Sequence, residues 1–142
     1  MFKRILVAML LILIGWSVID VILHRLILQA IYDSSAGLWR SIDKMNIPLI
    51  YVATIGLIAA FVTLYQKLVR PKSLSAGIQL GAIFGLALGI ASGLGTYIHM
   101  PIPIALAWGW LIGAIVKGLA AGAIVGLFVV DEHRVSLPAG SV

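Results

Sequence analysis

Four long apolar runs divide this chain, at roughly Ile5 to Ile31, Pro48 to Leu68, Ala76 to Ile98 and Ile102 to Val130, and charge is confined mostly to their ends. Each run meets the requirement of about 20 apolar residues for a helix that crosses a bilayer. Hydrocarbon offers the backbone no water, so each run is predicted to close its own hydrogen bonds as a helix, even where glycine and β-branched residues disfavour helix in water. With 62% of residues hydrophobic and 11% charged, the composition excludes an ordinary soluble domain. The predicted fold class is therefore all-α: an integral membrane four-transmembrane-helix bundle, a single membrane domain over residues 1–142 with a flexible tail over 131–142.

The first run follows Lys3 and Arg4, as a signal peptide would, but it is too long and no small-x-small cleavage site follows it, so it reads as a retained helix. There is no cysteine, which removes disulfides, thiolate metal sites, iron–sulfur clusters and covalently attached c-type haem. Lys3 and Arg4, then Lys67, Arg70 and Lys72, then Arg134 mark one side of the membrane. The first loop offers only Arg40 and Lys44, balanced by Asp33 and Asp43. By the positive-inside rule both termini are expected in the cytoplasm, with the chain in a cell inner membrane. The net charge of +5 reflects this bias; nucleic-acid binding is not expected, because no soluble face exists to carry a basic patch.

The connections order the bundle. Arg70-Pro71-Lys72-Ser73-Leu74-Ser75 is a short turn whose proline ends one helix and whose serine caps the next, making the second and third spans antiparallel neighbours. His99-Met100-Pro101-Ile102-Pro103 is tighter, so the third and fourth spans are expected to form a close hairpin. Only the first loop has room for structure of its own. Helical spacing there brings Leu38, Trp39, Ile42 and Met45 to one side, which suggests a short interfacial helix, with Leu38, Trp39, Arg40 and Met45 as an outer docking surface.

Gly77, Gly81, Gly85, Gly89 and Gly93 recur every four residues in the third span. At 3.6 residues per turn such a row drifts by about 40° per step and slants across its helix. Removing side chains along a row lets another backbone approach closely and gain dispersion contacts that lipid cannot match. The fourth span answers with Gly109, Gly113, Gly118, Gly122 and Gly126. Such glycine-zipper rows serve either internal packing or association with other subunits or a second copy; a glycine-lined pore would lack polar groups to solvate an ion.

Of the charges within the runs, Asp20 and Lys117 are the two to explain, since a charge at the centre of a transmembrane helix costs about 2.5–3.5 kcal/mol on insertion scales. They lie at similar depths from the outer edge, so a buried ion pair between the first and fourth spans is the simplest account; snorkelling, a partner contact and proton or ion handling are the alternatives. Ser17, Asp20 and His24 fall within about 60° of one another on an ideal helix, so Asp20 can orient the imidazole for a relay or as a ligand, unless His24 is an ordinary interfacial residue. Arg25 lies about 140° from Asp20 on the helix, so it is expected to face another neighbour or to snorkel to the outer surface.

Tyr32, Trp39, Tyr51, Tyr97, Trp108 and Trp110 gather on the outer side as an aromatic belt. His24 and His99 share that side, which leaves open haem b or a copper site using these two and a methionine. No other metal ligation is indicated; bound lipid is expected. Catalysis has no support: Ser92 and His99 lie about 10 Å apart along one helix, and no two intramembrane carboxylates exist to form a dyad.

Leu38-Trp39-Arg40 and Gly95-Thr96-Tyr97-Ile98-His99-Met100-Pro101-Ile102-Pro103, with the hydropathy pattern, resemble parts of small bacterial four-helix membrane proteins of unknown function. The resemblance implies a fold and a bacterial inner-membrane location, and no activity. The function expected from the residues is a non-catalytic subunit that stabilises or regulates a larger membrane complex. Alternatives are a small transporter or proton-conducting bundle using Asp20, His24 and Lys117, and a haem- or copper-binding electron-transfer subunit.

Overall fold

The structure, a computed structural model, describes residues 2–131. The expected flexible tail therefore lies, but for residue 131, outside the described residues. Among these the chain is all-helical, with no strand. Helix α1 spans Phe2–Ile27, a short α2 covers Gln29–Ser34, α3 spans Ile47–Leu68, α4 Leu74–His99 and α5 Ile104–Phe128. All but α2 are long and apolar enough to cross a membrane, four in total.

The first span ends earlier than its hydropathy suggests. Over Ile22–Ile27 α1 widens into a π-helical turn, closed by the Leu28 amide donating to Leu23 O at 2.9 Å. Leu28 is nearly fully buried because its methyls press into the hollow left by Gly109, where an added Cβ would stand 2.8 Å from Leu28 Cδ2. The chain breaks there and restarts as α2. A second π-helical turn, Ile90–Leu94, lies within α4. Such wide turns re-aim the side chains beside them.

The first loop folds as two 3₁₀ turns, Ala36–Leu38 and Ile42–Lys44, in place of one helix across the segment. The Ser35 hydroxyl donates to Ile31 O at 2.8 Å and accepts from Trp39 Nε1 at 3.1 Å. Those bonds turn the loop back over the helix ends. Helix starts follow local chemistry: Asn46 Oδ1 accepts from the Leu49 amide ahead of α3, and Ser73 Oγ accepts from the Ala76 amide ahead of α4, both at 3.1 Å. Before α5, Pro103 O takes the amides of Leu106 and Ala107.

Helices α4 and α5 are the most intimately paired elements. A Cβ added to Gly81 would meet Gly118 C at 2.9 Å and Gly122 Cα at 3.0 Å; one added to Gly85 would meet Ala114 O at 2.5 Å; one added to Gly126 would meet Leu74 Cα at 2.7 Å. Main chain faces main chain along most of the hairpin. Helix α1 packs on α5 and α3, whereas α3 and α4 share little beyond their turn. The main core joins Ala8, Ile12 and Trp16 to Ile58, Phe61, Val62 and Tyr65, and to Ala121, Val125 and Val129. Phe61 meets Phe84 of α4 at 5.0 Å between centroids, bridging the otherwise separate α3 and α4.

One end of the bundle is clasped. Lys72, 3% exposed, donates from Nζ to Asp131 Oδ1 and from its amide to Oδ2, both at 2.9 Å. The Tyr65 hydroxyl donates to Ser73 O at 3.1 Å beside it. The turn entering α4 is thereby fastened to the segment leaving α5.

Candidate functional site

Lys117 of α5 donates from Nζ to Asp20 Oδ1 of α1 at 2.8 Å. Both side chains keep partial exposure, 24% for Lys117 and 38% for Asp20. Trp16, one turn before Asp20, holds α5 in place by donating from Nε1 to Lys117 O at 2.9 Å, and its ring centroid lies 5.5 Å from Lys117 Nζ. The ammonium therefore has a carboxylate on one side and an aromatic ring on another.

From Asp20 the polar groups continue toward α2. His24 Nε2 lies 3.7 Å from Asp20 Oδ1, while His24 Nδ1 bonds the Tyr32 hydroxyl of α2 at 2.7 Å. Trp110 Nε1 donates to the same hydroxyl at 2.6 Å. An indole N–H can only donate, so Tyr32 O accepts from it and has its own proton to give to His24 Nδ1. When the phenol gives that proton to Nδ1, the neutral imidazole carries its own on Nε2, facing Asp20. Burial holds the Tyr32 phenol above its ordinary pKa, against the lowering by the Trp110 bond. The sequence Lys117, Asp20, His24, Tyr32, Trp110 thus links three helices.

The aromatic residues around it are a packed cluster. Tyr32 and Trp39 stand edge to face at 5.3 Å, and Trp39 and Trp110 at 5.9 Å. Leu38 and Trp39 pack with Leu28, Ile102, Leu106 and Ala107. Both are half-buried, packed on their own chain by the folded-back loop, and Arg40 and Met45 beyond them are exposed. The Ile42 side chain lies outside the described residues.

Other expected site residues separate from the chain of polar groups. Ser17 donates to Leu13 O at 2.8 Å, a bond within its own helix. His99 is exposed at the end of α4, while His24 is engaged by Asp20 and Tyr32. Among the described residues no cluster of three or more His, Cys, Asp or Glu is placed to hold a metal ion. The five α4 glycines all face the backbone of α5, and Gly118, Gly122 and Gly126 face α4 in return. Gly109 and Gly113 serve a different neighbour: they receive the side chains of Leu28 and Leu23 from the α1 side.

A cleft of about 200 Å³ opens beside the ion pair, lined by Trp16 of α1, Thr54 and Leu57 of α3, Phe84, Leu88 and Ser92 of α4, and Ala114, Lys117 and Gly118 of α5. It exists where α3 and α4 fail to close on each other. All four spanning helices contribute to it.

By sequence alone, Tyr32 and Trp110 read as belt aromatics and Lys72 as an orientation charge. The one usable signal for Tyr32 was its position eight residues after His24, a spacing that only the break at Leu28 converts into a contact. Comparison of the chain with protein-family profiles, with curated proteins and with solved structures finds no match.

Proposed function

We propose that this chain is a non-catalytic multi-pass membrane subunit that packs against another membrane protein through the α1 face bearing Asp20 and His24. One observation carries the reading. Asp20 and His24 are each 38% exposed inside a helix that is long and apolar enough to cross a membrane, and lipid tails cannot solvate a carboxylate or an imidazole. A protein surface supplying hydrogen-bond donors would cover both.

In this reading the glycine rows form a zipper that makes α4 and α5 a rigid internal framework, leaving partner contact to α1. The outer loop serves as a cap at the interface with its exposed Arg40 and Met45. Both termini face the cytoplasm of a bacterial inner membrane; Lys3, Arg4, Lys67 and Arg70 support that orientation, since they lie at the ends of α1 and α3 that an antiparallel arrangement places together. Gentle extraction followed by mass measurement of the intact particle tests the proposal. A stoichiometric larger assembly supports it, and a monomeric particle opposes it.

The second reading is a small transporter or proton-conducting bundle. It is favoured by the polar sequence from Lys117 through Asp20 and His24 to Tyr32, next to a cleft reached by all four spans. Intramembrane ionisable groups beside such a cleft are characteristic of translocation routes. Proteoliposomes loaded with a pH-sensitive dye decide it: Asp20-dependent proton flux would favour transport over docking.

A further inference from the structure

The cleft beside Lys117 has features the subunit reading does not use. Its volume of about 200 Å³ exceeds the roughly 150 Å³ of a dry apolar cavity that admits benzene. Trp16, Phe84, Leu57 and Leu88 supply its apolar walls. Its two hydroxyls are committed elsewhere: Thr54 donates to Ile50 O and Ser92 to Leu88 O, both at 2.8 Å. Neither offers its proton to an occupant. Lys117 is the one charged residue of the lining, and its Nζ stands 5.5 Å from the Trp16 ring centroid, against a wall of the cleft.

An ammonium has three N–H groups, and Asp20 takes one. Complementarity therefore asks for an apolar body with a hydrogen-bond acceptor directed at Lys117. A neutral acceptor fits better than an anion. The Asp20–Lys117 pair is already balanced in charge, so a carboxylate or phosphate would carry an uncompensated negative charge into an apolar site.

We infer that the cleft between the four spanning helices binds a small neutral aromatic molecule carrying a carbonyl-type acceptor, with its ring between Trp16 and Phe84 and its acceptor on Lys117 Nζ. The site is independent of whether α1 docks to a partner.

The test uses the full chain in lipid nanodiscs and two probes of the same shape, acetophenone and α-methylstyrene, in which a methylene replaces the carbonyl oxygen. Binding is read by saturation transfer to the ligand in nuclear magnetic resonance, with empty nanodiscs as the blank. Acetophenone is expected to bind at least about tenfold more tightly than α-methylstyrene, as a bond to a charged donor requires. In Lys117→Met that preference should fall to near one. Leu57→Phe fills the cleft without touching the ion pair and should abolish saturable binding of both probes, so the test survives if Lys117→Met does not fold. Equal binding of the two probes to the wild-type chain, or binding unchanged in Leu57→Phe, would overturn the proposal and show a fissure filled only by lipid tails.

Discussion

The Lys117 ammonium reaches across from α5 to place one N–H 2.8 Å from Asp20 Oδ1 of α1, joining residues that lie 97 positions apart. It gives each of two intramembrane charges its counter-ion and fixes the register of α1 on the helix at the centre of the bundle. The same carboxylate also faces His24, so its loss would be felt at two neighbours.

Removing either charge alone should therefore be worse than removing both. Asp20→Asn leaves Lys117 unpaired and Lys117→Met leaves Asp20 unpaired; each is expected to lower stability in detergent by on the order of 2 kcal/mol, less than for a fully buried pair because both groups are partly exposed. The double variant should recover at least half of that loss. Thermal or denaturant unfolding of the four proteins checks the coupling, and strictly additive losses would show that the pair contributes nothing as a pair.

Glycine substitutions should sort by what the new methyl meets. At Gly81 and Gly118 it meets backbone of the facing helix, within 3.0 Å, and neither main chain has a soft coordinate along which to yield. Gly81→Ala and Gly118→Ala are expected to cost about 1–3 kcal/mol. At Gly113 the methyl meets the end of the Leu23 side chain, which can change rotamer, so Gly113→Ala should cost less. Gly56 has nothing within 4 Å, and Gly56→Ala should be neutral or stabilising by up to about 1 kcal/mol through helix propensity. Similar losses at Gly56 and Gly81 would refute the close-packing account.

Acid should open the clasp between Lys72 and Asp131. The bonds from the Lys72 ammonium and amide hold the Asp131 carboxyl below its ordinary pKa of 3.8. A lowered folded-state pKa means that the contribution is complete above the unfolded value and declines as pH falls through the folded one. The clasp is therefore intact at neutral pH and weakens below about pH 4. The protection of the Lys72 amide against hydrogen exchange, relative to its intrinsic rate at each pH, should fall over that window in the wild type and be low at every pH in Asp131→Ala.

Tyr32→Phe should free two neighbours at once. It deletes the acceptor of Trp110 Nε1 and the partner of His24 Nδ1, and stranding partly buried polar groups costs about 1–3 kcal/mol. Nitrogen chemical shifts of His24 should report loss of the Nε2–H tautomer bias, and Trp110 fluorescence should shift. In the wild type, burial raises the Tyr32 pKa, so its contribution is complete below about pH 10 and is lost as pH rises through the folded value. Phe at this position should flatten that alkaline dependence.

The four spans were legible because hydropathy over some twenty residues is insensitive to local detail. The α4 glycines, too, advertised a face without side chains. What the sequence could not convey was where α1 stops: Leu28 is as apolar as its neighbours, and the break arises from its fit into Gly109 together with the π-helical turn before it. That break alone brings Tyr32 onto His24. Leu38 and Trp39 carried the right spacing for an amphipathic surface, but spacing does not say which side is covered, and the loop turns them against Leu106 and Ala107. Lys72 and Asp131, 59 positions apart, read as ordinary charges at span ends, since nothing local distinguishes a clasped lysine from one that orients a helix.

In the proposed function the partly exposed Asp20 and His24 face another protein. Photocrosslinking in native membranes can decide this, with a photoreactive amino acid at Val21, exposed beside Asp20, and a control at Ile83, exposed on α4. A single heavier adduct is expected from Val21, disappearing in Asp20→Asn, and only lipid adducts from Ile83. Lipid adducts alone from both positions would contradict it.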